Sequence, residues 1–215
     1  MEVKIFINCK MKPEEIRKRI EEADTVIQNL LRENKISKLS EIERIKYLNF
    51  YKKQANLSLI AADLLYNIST EKLSKEFHKL EQNYECYLWV INSSYYSMFY
   101  AVHALLAYKN TRILEKQGIH KITAHALVYY CLKNDFIAKE LYEQFVESQK
   151  EAAELFNLEE FQKRAAELAS KYFFEADKRT KFTYEIGEEA KKQNALTSLQ
   201  RAKEFLNEIE KIIEK

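Results

Sequence analysis

The chain has 215 residues, with only two glycines, one proline and three cysteines, and 35 basic against 33 acidic side chains for a formal charge of +2. A sheet protein needs turn residues about every 8–12 positions, so this composition excludes a sandwich or barrel and leaves a helical chain rich in Leu, Ala, Glu, Lys and Ile. The even charge names no polyanionic partner, although a local basic patch would be enough for one. Cys9, Cys86 and Cys131 form no CxxC pair, which argues against a disulfide scaffold or a cysteine zinc site.

The N-terminus MEVKIFINCKMK is too short and too charged for a signal peptide. No apolar stretch reaches the 18 or so residues that a membrane helix needs. The expectation is a reduced, cytoplasmic setting without membrane contact. Residues 3–9 alternate loosely and read as a short strand or an arm. Pro13, Glu14 and Glu15 suit a first helical turn, opening a polar helix to about residue 34. Its apolar stripe is Ile16, Ile20, Ala23, Ile27, Leu30 and Leu31. Ser40 reads as an N-cap with Glu43 at the capping-box position. The helix behind it runs to about residue 67, with Ile45, Leu48, Ala55, Leu59 and Ala62 at helical spacing.

The next segment, from about residue 70 to 110, reads as one long helix. At about 100° per residue, Ser93, Ser97, Ala101 and Ala104 share one face. Tyr95, Phe99, Val102 and Leu106 share the opposite face, with Tyr96, Tyr100 and His103 between them. A helix that is apolar or aromatic nearly all round belongs in the middle of a bundle. Gly118 punctuates a loop over 110–119, and a helix follows from about 120 to 132. Asp135 is expected to cap the next helix, another should begin near 158 and run toward 179, and the last begins near 188. That last helix carries Leu196, Leu199, Ala202, Leu206, Ile209 and Ile213 on one stripe. The segment 1–39 is the candidate N-terminal extension, and 40–215 the main bundle.

The stretch SSYYSMFYAVHALLAY, Ser93 to Tyr108, resembles the second core helix of HEPN domains, the higher eukaryote and prokaryote nucleotide-binding helical bundles. The likeness is to a prokaryotic branch with an SYYAMFHAARALL-like helix, then a histidine after a loop, an R-x-x-A-D-Y element and a final amphipathic helix. Here those parts correspond to His120 in GIHKITAHAL, to Arg179 through Tyr184, and to EEAKKQNALTSLQRAKEFLNEIEKII. The likeness covers about residues 55–215. It implies an all-α, up-and-down bundle that forms a homodimer. It also implies a toxin–antitoxin or defence setting, with a nucleotidyltransferase-type antitoxin as partner. The function implied is RNA binding, or metal-independent RNA cleavage by an Arg-x4-6-His motif at the dimer cleft, with no cofactor and no metal.

The candidate site is the stretch ADKRTKFTYEIGEEA. Cleavage without metal needs a base for the 2′-hydroxyl, an acid for the leaving oxygen and a cation for the phosphorane-like charge. Arg179 suits the third role, because its donor fork matches phosphate. Lys178, Lys181 and His120 are the candidate RNA- and phosphate-binding residues. Tyr184 stands where the motif histidine is expected. A phenol with a reference pKa of about 10 is a poor base at neutral pH, although it can donate a hydrogen bond. On a straight helix Arg179 and Tyr184 point about 140° apart, so they converge only across a helix end or a dimer. Three readings stay open: a basic helix end that complements the dipole, an RNA or nucleotide contact, and a ribonuclease site. A non-catalytic helical interaction module is the alternative from a different class. Of the remaining histidines, His103 reads as a core residue and His78 as a surface one. His120 and His125, five apart, do not make the i, i+4 pair of a helical metal site. The 14 tyrosines invite base stacking, but most sit at core spacing.

Overall fold

The computed structural model describes residues 11–169 and 188–214. The described chain is predominantly helical, as the composition requires. In chain order it runs α1 (Pro13–Arg32), β1 (Ile36–Lys38), α2 (Glu41–Thr70), α3 (Lys72–Phe77), α4 (Tyr87–Tyr108), β2 (Thr111–Ile113), α5 (Ile119–Leu127), α6 (Lys139–Ala169) and α7 (Glu188–Ile213). A π-helical turn, Val128–Leu132, continues α5. The arm expected over residues 3–9 lies outside the described residues.

α4 is the axis. It buries small residues (Ser94, Ser97, Ala101, Ala104) on one side and large ones (Tyr95, Phe99, Val102, Leu106) on the other. α2 lies along it through a seam of Ala55, Ala62 and Ser69, seven residues apart, which lets the two backbones approach closely. α5, α6 and α7 close the other sides, and Phe145 of α6 stacks on Phe205 of α7 with ring centroids 6.2 Å apart. α1 adds Ile16, Ala23, Ile27 and Leu30 to the same core cluster as α4. Arg201 of α7, whose side chain is only 10% exposed, holds Glu151 at 2.9 Å and Glu147 at 3.3 Å, fastening α7 to α6.

Two helix starts are written locally. At α1, Pro13 occupies the first turn and the Glu15 carboxylate accepts from the Lys12 N–H (3.1 Å). At α2, Ser40 and Glu43 form the reciprocal capping box.

The helix ends are less expected. A chain with two glycines closes its helices with other residues in the left-handed region: Asn34, Lys79, Asn110 and Asp135, with φ of 55°, 56°, 57° and 51°. After α1 the Asn34 N–H donates to the Leu31 carbonyl and the Lys35 N–H to Leu30, the pair of bonds of a Schellman closure. Lys79 and Asp135 carry the same pair.

This closure accounts for the departures from the sequence-based expectation. The helix expected over 70–110 is two helices with a loop over 78–86 between them, because Lys79 turns the chain after α3. Asp135 closes the preceding helix instead of capping the next, which starts at Lys139. The break expected near 158 is absent, since α6 continues to Ala169. The sequence reading also missed a two-stranded antiparallel ribbon, in which Ile36 pairs with Ile113 and Ser37 with Arg112. Its strands follow the left-handed residues Asn34 and Asn110. Among the described residues, no helix is long and apolar enough to cross a membrane.

Candidate functional site

Arg179, Tyr184, Lys178 and Lys181 lie outside the described residues. His120, the remaining predicted site residue, opens α5 just after Gly118, whose φ of 68° makes the left-handed corner that starts the helix. Its Nδ1 lies 2.7 Å from the Tyr95 hydroxyl. Burial pushes the Tyr95 phenol well above its usual range, and burial pushes the His120 imidazole down. Both groups are therefore neutral near pH 7.

His103 lies one turn beyond Phe99 on α4 and is only 5% exposed. The Thr123 hydroxyl donates to the Ile119 carbonyl (2.8 Å), so the His103 Nε2–H donates to the Thr123 oxygen (3.1 Å). Burial, with a smaller effect from His120, lowers the His103 pKa to about 4. This histidine is a satisfied core residue, as its position on an apolar helix implied. The Phe99 ring sits between the two imidazoles, 4.6 Å from His103 and 4.8 Å from His120. His78 is exposed.

From His120 an unbroken line of partly exposed rings crosses the bundle surface. Tyr96 lies 5.9 Å from His120 and 6.1 Å from Tyr100. Tyr51 of α2 stacks on Tyr100 at 6.4 Å, and Tyr47 stacks on Tyr51 at 6.2 Å. At the far end Arg112 of β2 donates to the Tyr47 hydroxyl (2.6 Å), with its guanidinium carbon 4.1 Å from the centre of the ring. No carboxylate among the described residues pairs with Arg112. The nearby Glu43 feels its charge but is engaged by Ser40. The buried Arg112 Nε has no hydrogen-bond partner among the described residues. The guanidinium is thus a cation held in place by an aromatic ring and a phenol, with donors to spare.

Such a strip can stack planar groups along its length, meet an anion at the Arg112 end and offer a neutral imidazole at the His120 end. His120 near neutrality can accept a proton, as a base must. The His103 imidazole is sealed in the core and cannot serve as the matching acid. Sequence reasoning placed Tyr96, Tyr100 and His103 correctly between the two main faces of α4. It missed Tyr47, Tyr51 and Arg112. The tyrosines had a readable signal, the i, i+4 pairs Tyr47/Tyr51 and Tyr96/Tyr100. Arg112 had none, because only the β1–β2 pairing carries it to Tyr47. Among the described residues no cluster of three or more His, Cys, Asp or Glu side chains could hold a metal ion. No family model, no curated protein and no solved structure matches the chain.

Proposed function

We propose that this chain is a HEPN-type helical bundle of a toxin–antitoxin or defence system that binds single-stranded RNA along the Tyr47–Tyr51–Tyr100–Tyr96 strip. One observation carries the reading: a continuous row of partly exposed rings that ends on an arginine free of any carboxylate partner among the described residues. Bases stack on the tyrosines without regard to sequence, and Arg112 takes a phosphate. The order of the tyrosine-rich helix, His120, the Arg179–Tyr184 element and the final helix supports the family reading. Arg179, with Lys178 and Lys181, extends the phosphate contact. Cleavage, if it accompanies binding, draws on Arg179 and Tyr184 at a homodimer cleft.

Fluorescence anisotropy with a labelled single-stranded RNA tests the binding. Stacking is worth about 1–3 kcal/mol per base, so Tyr51→Ala and Tyr100→Ala are each expected to weaken binding by about tenfold. Arg112→Gln should lower both the affinity and its salt dependence. Variants that keep their unfolding midpoint and bind as wild type would end the strip reading. Incubation with RNA in EDTA tests cleavage separately, and a product that persists in Arg179→Ala counts against Arg179 as a catalytic residue.

A second reading, a helical protein-interaction module, is favoured by the outer face of α2. Phe50, Leu57, Ile60 and Leu64 are large, apolar and about half exposed, with Phe50, Leu57 and Leu64 one heptad apart.

A further inference from the structure

A second feature of the bundle lies away from the aromatic strip, where the C-terminal end of α2, helix α3, the 78–86 loop and the start of α7 meet. A cleft of about 440 Å³ is lined there by Lys75, Gln82, Asn83, Tyr84, Glu85 and Lys192, with Ser69 and Tyr87 behind them. Lys75 is the unusual residue. It is only 9% exposed, yet its ammonium group has no acidic partner among the described residues. Its one hydrogen bond among the described residues goes to the Gln82 carbonyl, at 2.7 Å. An ammonium carries three donors, so two remain. A lysine side chain covered to this extent is ordinarily paired.

The neighbouring charges do not neutralise it. Glu85, the acid among these residues, holds Lys191 at 3.5 Å. Lys192 adds a second positive charge to the lining. The Ser69 hydroxyl is occupied, donating to Leu65 and receiving the Cys86 N–H. The cleft therefore presents two ammonium groups beside the side-chain amides of Gln82 and Asn83 and the phenol of Tyr84.

We propose that this cleft binds a small organic phosphate monoester, with the phosphoryl group on Lys75 and Lys192. Several donors around one point suit a dianion with three acceptor oxygens. The volume falls in the range of about 300–1,000 Å³ usual for small-molecule pockets, more than a bare anion fills. The Tyr84 ring offers a surface for the organic part.

Calorimetric titration with phenyl phosphate and with inorganic phosphate, at constant ionic strength made up with chloride, tests the assignment. Wild type should give saturable one-site binding, tighter for phenyl phosphate than for inorganic phosphate. Lys75→Met keeps the shape of the stem and removes the charge; it should weaken binding by about tenfold or more, the scale of a lost charge-assisted hydrogen bond. Lys192→Gln, at an exposed position that does not threaten folding, should weaken binding severalfold. No saturable binding by wild type, or unchanged affinity in both variants, overturns the proposal. Unchanged affinity in Lys192→Gln alone also overturns it if Lys75→Met does not fold. The site is separate from the strip, so Lys75→Met should leave the single-stranded RNA affinity as in wild type. Loss of phosphate binding and loss of RNA binding are therefore told apart.

Discussion

His103 touches Tyr51, Phe99 and Thr123 in the interior, where an imidazolium would be costly. Its pKa falls from 6.5 to about 4 on folding. The unfolded chain therefore takes up a proton below about pH 6.5 that the folded chain refuses until about pH 4. The stability this histidine contributes is complete above 6.5 and is lost as pH falls through that window. The displacement amounts to something on the order of 3 kcal/mol. His120 and His125 shift in the same direction. The lowered carboxylates Glu41, Glu43 and Glu115 add their own loss of stability only under 4.5, at the acid end of that window. Urea unfolding at intervals from pH 7 to 4 should show a steady fall in stability. His103→Gln should flatten that slope whatever it does to the value at pH 7. An equally steep slope in the variant would mean that His103 takes up its proton in the folded state.

Single positions at the helix ends decide where elements begin and stop. The capping box at Ser40 and Glu43 was readable because both partners lie within one turn. The closures at Lys79 and Asp135 were not, because lysine does not favour the left-handed region and aspartate serves equally as an N-cap. Their bonds, such as the Leu80 N–H to the Lys75 carbonyl, form only once the chain has turned. A lysine there carries a strained backbone that glycine would relieve. Lys79→Gly is therefore expected to stabilise the protein by about 0.5–1 kcal/mol despite the freer unfolded chain. Chemical denaturation measures it, and a loss of stability would show that the Lys79 side chain contributes more than its backbone strain costs.

At the scale of the molecule, the large apolar side chains on the outer face of α2 bear on what the bundle meets. On the interaction reading, lysines placed at Leu57 and Leu64 should convert a self-associating protein into a monomer by sedimentation equilibrium, with RNA affinity unchanged. A wild type that is already monomeric at high micromolar concentration would count against self-association through this face.

Helix class, the identity of the central helix and the core role of His103 were determined by the sequence alone. They follow from residue type and a period of about 3.6, which are local properties. The break between α3 and α4, the β1–β2 ribbon and the meeting of Arg112 with Tyr47 were decided only by the tertiary structure. Each depends on residues brought together by packing: Arg112 and Tyr47 stand 65 positions apart in the chain. The same holds for Lys75, an ordinary lysine in the sequence. Its lack of an acidic partner among the described residues becomes visible only when the 78–86 loop folds back over it.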